Sequence, residues 1–272
     1  MLDIKHLSKT FFPGTVNEKK ALTDVNLHME PGDFITIIGG NGAGKSTLLN
    51  SIAGVFPIDG GQILIDGVDV SKMPEHKRAQ YIGRVFQDPM MGTAAGMMIE
   101  ENLAIASRRG KTPGLSWALK DSEREKFREM LKELDLGLED RLTSRVGLLS
   151  GGQRQRAWIA MAIAQTTDIL FLDEPTSFLD VAHQMEVLEL VRHLNEAYGK
   201  TIIMVIHELN EAARFAHHLI AMKQGKILYQ GSPEEVFHQQ MLRDIFGIDA
   251  ELIQDPRTGR PLCIPYSRAR KR

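Results

Sequence analysis

The stretch Gly39-Gly40-Asn41-Gly42-Ala43-Gly44-Lys45-Ser46-Thr47 constrains this chain more than any other. Before it lies an apolar run, Phe34-Ile35-Thr36-Ile37-Ile38, that reads as a buried strand. After it, Leu48-Leu49-Asn50-Ser51-Ile52-Ala53 reads as the first turns of a helix. Strand, glycine loop and helix with G-x-x-x-x-G-K-S spacing make a phosphate-binding loop. The residue types follow from the task. A polyphosphate needs several N–H donors converging on it, and glycine lets the backbone approach without side chains in the way. The helix adds its unpaired N–H groups and the positive end of its dipole. Lys45 supplies a charge for β- and γ-phosphates, and the Ser46 hydroxyl a ligand for Mg²⁺. A chance glycine-rich turn does not account for the complete pattern. A dinucleotide-binding loop fails, because G-x-G-x-x-G counted from Gly40 meets Lys45 where its third glycine belongs.

The rest of the chain bounds what such a loop can serve. Its 272 residues correspond to one or two domains. A hydrophobic share of 43% and a charged share of 25% are ordinary for a globular chain. The net charge of -2 provides no global basic field for nucleic acid. A lone cysteine, Cys263, excludes a disulfide framework and fits a reducing compartment. No apolar run approaches the roughly 18 residues of a membrane span, and the N-terminus lacks the layout of a signal peptide. The expectation is a cytoplasmic protein that reaches a membrane only through a partner.

Taken in order, the first thirty residues are strand-rich: Val25, Leu27 and Met29 alternate with Asn26 and His28. Leu7-Ser8-Lys9-Thr10-Phe11-Phe12 runs into the breaker Pro13-Gly14, so Phe11 is either a core ring at a strand end or an aromatic that stacks on a base. Gln62 to Val70 reads as strand, Asp-Gly turn, strand. A short helix is expected over Met73–Gln80, then a strand, Tyr81–Phe86, leading to Gln87-Asp88-Pro89. Residues 88–149 are helical in texture, with the following helix extending that character to about residue 160, and read as a helical subdomain inserted in an α/β core. Within them Ser122-Glu123-Arg124-Glu125 has capping-box spacing, and Phe127, Met130, Leu131 and Leu134 share one helical face that Gly137 ends. Strand patterns return at Asp168–Asp173 and Thr201–Ile206, separated by a helix from Asp180 to Tyr198. Gly231-Ser232-Pro233-Glu234 starts a further helix, and residues 241–272 form a C-terminal extension.

Strands alternating with helices imply a mainly parallel sheet, in which ligands bind beyond the strand C-terminal ends. Gly39, Gln87, Asp173 and His207 all occupy such ends and should converge. Asp173 closes an apolar strand, where a carboxylate is costly unless it serves a cation such as Mg²⁺. Glu174, next in line, is placed to orient or deprotonate an attacking water. Gln87 can offer its amide to metal or water, and His207 can contact the γ-phosphate.

With those positions in hand, Leu149-Ser150-Gly151-Gly152-Gln153-Arg154-Gln155-Arg156 resembles the signature of ATP-binding-cassette ATPases. The other family elements appear in order over nearly the whole chain. Walker A resembles Gly39 to Thr47, the Q-loop glutamine Gln87, and Walker B Ile169 to Asp173 with Glu174 as catalytic carboxylate. Ser177-Phe178-Leu179-Asp180 is similar to the D-loop, with Phe178 where alanine or glycine is usual, and His207 resembles the switch histidine. The resemblance favours Phe11 as the stacking ring.

What the resemblance implies is a P-loop NTPase core with an antiparallel β subdomain at its N-terminus and a helical insertion, binding ATP and Mg²⁺. Two subunits, identical or not, would meet head to tail. Each ATP would lie between the Walker A loop of one and Ser150, Gly151, Gly152 and Gln153 of the other, with Asp180 nearby. Members built this way usually power a separate integral-membrane permease, commonly a bacterial importer fed by a solute-binding protein. Pro89-Met90-Met91-Gly92 and Gly96-Met97-Met98 fall where permease helices dock in relatives, and such methionines suit either adaptable docking or ordinary core packing. The hairpin, the Gln87 segment and Ile99-Glu100-Glu101-Asn102-Leu103 look most like ATPase subunits of amino-acid-type uptake systems. An exporter ATPase and a soluble ATPase acting on ribosome or DNA are the alternatives. The final cations, Arg268, Arg270, Lys271 and Arg272, read first as a solvated terminus and otherwise as charges that would face an anionic leaflet in a subunit docked below a permease.

Overall fold

In a computed structural model describing residues 1–86, 92–109, 119–177 and 179–269, two main sheets pack on one another and the strand before the phosphate loop lies within the larger one. The N-terminal sheet is antiparallel, in the order β2-β1-β4-β5, from β1 (Leu2–Phe11), β2 (Lys19–Met29), β4 (Gly60–Ile65) and β5 (Val68–Asp69). In β2 Val25, Leu27 and Met29 are buried and Asn26 and His28 exposed, the period of a half-covered strand. The β4–β5 turn holds Asp66 and Gly67 at φ 49° and 76°, the paired positive values of a tight hairpin.

The second sheet is ordered β10-β9-β3-β8-β7-β6, from β3 (Phe34–Ile38), β6 (Ile82–Val85), β7 (Ile169–Asp173), β8 (Thr201–Val205), β9 (His218–Lys223) and β10 (Lys226–Gly231). Five of its strands run parallel and β10 pairs antiparallel at one edge. All residues of β3 and β8 are buried, because both faces of the sheet are covered. Ile35, Ile37, Ile169, Phe171, Ile203 and Val205 pack toward the antiparallel sheet and the helix after the phosphate loop, α1 (Lys45–Ala53). Phe34, Ile38, Leu170, Leu172, Ile202 and Met204 pack on the opposite side, against helices. The alternation of each strand thus divides one apolar run between two cores.

Those helices include α3 (Ile99–Ser107), α4 (Asp121–Glu133), α5 (Gly151–Ala164) and α6 (Val181–Tyr198). Phe127, Leu131 and Leu134 are buried as their spacing requires. The cap is not where the spacing placed it. The first helical residue is Asp121, and the Glu123 carboxylate accepts the Lys120 N–H at 3.0 Å, while Glu125 instead pairs with Arg128. Glu123 wins because it also receives Arg108 at 2.9 Å, an ion pair that the local pattern does not reveal. The expected helix over 73–80 shrinks to α2 (Glu75–Arg78), since Arg78 turns inward and donates to the Met73, Ser51, Ile52 and Ser71 carbonyls.

The chain closes with α7 (Leu209–Phe215), α8 (Pro233–Val236), α9 (Gln239–Phe246) and a hairpin of β11 (Ile248–Gln254) and β12 (Pro261–Arg268). Ser232 caps α8 with Pro233 in its first turn, as its sequence indicates. Gln87, Pro89-Met90-Met91, Phe178 and the last three cations lie outside the described residues. Among the described residues, no helix is long and apolar enough to cross a membrane.

Candidate functional site

The phosphate loop leaves the C-terminal end of β3 and can be built only from glycine at two points. Gly39 has φ 154°, and a Cβ there would stand 2.4 Å from the Met222 carbonyl oxygen. Gly44 has φ 105°, and its Cβ would lie 2.7 Å from the Ala21 oxygen. The loop is therefore clamped between β9 and β2 as it curls toward α1. It forms one wall of a cavity of about 280 Å³ lined by Asn41, Gly42, Ala43, Gly44, Lys45, Ser46 and Thr47, with Lys19, Ala21 and Glu174 opposite.

Lys45 is buried, and its Nζ donates to the Gly39 oxygen at 2.7 Å. Burial pulls its pKa down, opposed by the Glu174 and Asp173 carboxylates. Ser46 Oγ donates to Asp173 Oδ1 at 3.3 Å, across 127 residues of sequence. That pairing follows from sheet order, since β7 is separated from β3 by β8 alone. Asp173 is held above the usual carboxylate range, first by burial and then by the charge of Glu174, with Ser46, Arg84 and Lys45 pulling the other way.

A close pair at the loop is that of Glu174 with His207. Glu174 has φ 51°, unusual for a residue with a side chain, and its N–H donates to the Val205 oxygen at 3.0 Å. That turn swings its carboxylate off the strand line, so that Oε1 lies 2.5 Å from His207 Nε2 while Oε2 accepts from Ser177 Oγ at 3.2 Å. Asp173 and Glu174 thus end one strand, His207 follows the next, and both converge on the loop at the end of β3.

Ser150 is the N-cap of α5: its Oγ accepts the Gln153 N–H at 3.3 Å, and Gln153 Oε1 accepts the Ser150 N–H at 3.1 Å. The helix therefore starts at Gly151. Ser150 and Gly151 are exposed. Neither they nor Gly152 and Gln153 line the phosphate-loop cavity of their own chain. Asp180 caps α6, accepting the His183 N–H at 3.0 Å. Phe11 packs edge-on against Phe56 at 5.2 Å and is the register partner of Lys19, so it stands one strand pair from the cavity wall.

Three contributors were missed from sequence. Lys19 lines the cavity because of the β1–β2 register. Gln155, buried in α5, donates to the Pro175 oxygen at 2.7 Å, tying the signature helix to the residue after Glu174. The His183 ring lies where a Cβ on Gly152 would come within 2.6 Å of it, while its Nδ1 is 2.8 Å from Asp180 Oδ1. Only the period of these helices hints at such contacts.

The donor set suits a phosphate-bound cation. Among the described residues no group of three or more His, Cys, Asp or Glu side chains could hold a metal by itself. Mg²⁺ usually takes one or two carboxylates plus substrate phosphates and water. A hydroxyl and a half-buried carboxylate 3.3 Å apart at the phosphate loop match that need.

The sequence matches the model of the ABC transporter family over residues 22–177, more than half of the chain. The chain belongs to the ABC transporter family. Among solved structures it is similar to the ATP-binding cassette MJ0796 in a dimeric post-hydrolysis state bound to ADP and Pi, with a TM-score of 0.74 and 31% identity over 85% of this chain and 98% of that one. The chain is an ABC ATPase with a P-loop core, an antiparallel N-terminal sheet and a helical insertion. It is similar to the iron(3+)-hydroxamate import ATP-binding protein FhuC of Bacillus subtilis, at 39% identity over 92% of this chain and 90% of the relative. It is also similar to the tyrosine transport ATP-binding protein of Clostridioides difficile, at 36% identity over 86% and 93%. The likeness is thus not specific to amino-acid systems, which corrects the substrate class drawn from the sequence: relatives of higher identity have iron-chelate names.

Proposed function

We propose that this chain is the ATP-binding and ATP-hydrolysing subunit of a bacterial importer, and that its cargo class is an iron chelate. Two such subunits close head to tail on ATP, beneath an integral-membrane permease fed by a solute-binding protein. The observation that carries the importer reading is the 39% identity to the iron(3+)-hydroxamate import subunit, spread over 92% of this chain rather than confined to the nucleotide motifs. Head-to-tail closure is supported by the exposure of Ser150 and Gly151 and by the absence of Ser150 to Gln153 from their own chain's cavity, which leaves the signature for another chain's nucleotide.

The chemistry follows from the site. The loop N–H groups, the α1 dipole and Lys45 bind and orient the phosphates. Ser46 and Asp173, with Gln87, would hold Mg²⁺, which when bound offsets phosphate charge as bond cleavage begins. Glu174 accepts the proton of the attacking water, and His207 Nε2 at 2.5 Å fixes the carboxylate's direction. Phe11 stacks on the base from beyond Lys19. Asp180, joined through His183 to the signature helix, keeps the two nucleotide-facing elements of one subunit in register.

A second cargo class, an aromatic amino acid, is favoured by the 36% identity to the tyrosine transport subunit. One experiment separates the readings. The tagged chain is used to capture its permease from the source cells, and the complex is reconstituted with its solute-binding protein. Uptake of radiolabelled ferric hydroxamate and of radiolabelled tyrosine is then compared. ATP-dependent uptake of the chelate alone is expected. Tyrosine uptake would move the assignment to the second class, and recovery of ribosomes without a permease would refute transport.

A further inference from the structure

We propose that Asn210 is a positioning residue for His207, and that the C-terminal hairpin is the strut it leans on. The inference rests on the role given above to the His207–Glu174 pair. Only Glu208 separates His207 from the first residue of α7, so the start of that helix sets where the imidazole stands. α7 has seven residues and no side-chain cap at Glu208, too short to hold its own first turn in water. Its far half is fixed by Thr36 Oγ1, which donates to the Ala212 oxygen at 3.2 Å in the core.

Its first turn is fixed differently. Asn210 Oδ1 accepts the Cys263 N–H at 2.8 Å, and Asn210 Nδ2 donates to the Cys263 oxygen at 3.1 Å. One amide therefore satisfies both main-chain groups of a residue in β12, as a neighbouring strand would. Cys263 is itself buried and Asn210 half-buried, so both bonds are partly shielded from water.

The direction of support is legible from the hairpin's other anchors. At its base Asp249 receives Arg243 of α9 at 2.6 Å, and Ser267 pairs with the same carboxylate. At its turn Arg260 donates to Glu234 of α8 at 2.9 Å. The hairpin is thus tied at both ends without Asn210. Among the described residues no other side-chain hydrogen bond reaches Leu209, Asn210 or Glu211, so the clamp at mid-strand holds the start of the helix rather than the hairpin. A looser α7 start lets His207 drift from Glu174 and leaves the water's base misdirected, while the phosphate loop on β3 and α1 is untouched.

The test is steady-state Mg-ATPase of the full-length chain, with Asn210→Ala, Asn210→Asp and His207→Ala alone and combined. Loss of the paired bonds should lower kcat about 5- to 10-fold, the factor given by one or two net hydrogen bonds. KM for ATP should stay within about twofold, since uniform binding is unaffected. Asn210→Asp keeps the acceptor for the Cys263 N–H and loses the donor, so it should fall between wild type and Asn210→Ala; it also serves if the alanine variant does not fold. In a His207→Ala background neither Asn210 change should lower kcat further. Full multiplication of the two losses, a rise in KM matching the fall in kcat, or an unchanged kcat would each overturn the proposal. If His207→Ala alone left kcat intact, the prior reading of the His207–Glu174 pair would fail, a result distinct from a silent Asn210.

Discussion

Glu174→Gln tests the chemistry with little disturbance of the fold. The side chain is 14% exposed, with one oxygen on His207 Nε2 at 2.5 Å and the other on Ser177 Oγ at 3.2 Å. Glutamine has the same length and tolerates φ 51° no worse than glutamate. Its oxygen can keep one of those bonds, so the stability change should stay within about 1 kcal/mol. ATP binding should survive, because the loop N–H groups, Lys45 and Ser46 are unchanged. Removing the Glu174 charge also relieves one of the two influences that hold Asp173 above the carboxylate range, leaving it readier to take a cation. What is lost is the proton acceptor, because an amide does not take the water's proton. General-base catalysis is worth on the order of 10²- to 10⁴-fold, or about 3–5 kcal/mol of barrier. Single-turnover hydrolysis of γ-labelled ATP, run beside a nucleotide titration, should therefore show a rate at least about 100-fold down at near-normal affinity. Light scattering with ATP should show a trapped dimer. A single-turnover rate within about tenfold of wild type would remove Glu174 from the proton-transfer step.

Three further outcomes follow from the same geometry. Lys45→Ala should weaken ATP binding itself, by about 10- to 100-fold in Kd for a lost charge-assisted contact, and an unchanged titration curve would contradict the phosphate-loop assignment. Asp173→Asn should abolish hydrolysis yet leave the nucleotide-free protein as stable or more so at neutral pH. A carboxyl whose folded pKa is raised destabilises the fold once ionised, so stability falls as pH rises between its unfolded and folded values, and an amide removes that loss. Each kcal/mol recovered should lift Tm by roughly 2–4 °C, measured without nucleotide or Mg²⁺, and a clear drop in Tm would refute the sign. Ser150→Arg should leave monomer ATP binding intact and block the ATP-driven dimer in a Glu174→Gln background; a persisting dimer by light scattering would argue that Ser150 does not face a partner's nucleotide.

Much of the site was legible because the phosphate loop is contiguous. Its glycines, lysine and serine sit within nine residues, and strand, loop and helix are each written in local periodicity. The starts of α6 and α8 were legible for the same reason, since an Asp or Ser cap bonds an N–H only three residues on. Local reading failed where a distant partner decided the outcome. Arg108 drew Glu123 into the cap that Ser122 and Glu125 seemed to spell, and the carbonyls of Ser51 and Ile52 drew Arg78 out of the α2 surface. The cargo class misled for another reason: it was drawn from the hairpin and Ile99–Leu103, whose residue types form a turn and a helix face and carry no cargo chemistry.

By itself, the sequence determined that a phosphate loop ends a buried strand, that acidic and histidine residues end other buried strands, and that Ser232 and Pro233 start a helix. Each depends on neighbours within a turn or a strand, where periodicity and capping have physical force. Only the tertiary structure decided that Ser46 meets Asp173 across 127 residues, that Glu174 turns toward His207, and that Asn210 grips Cys263. Those pairings come from the order β9-β3-β8-β7 and from the return of the hairpin onto α7. Such an order is set by which apolar faces bury together over the whole chain, and no short stretch of sequence contains that information.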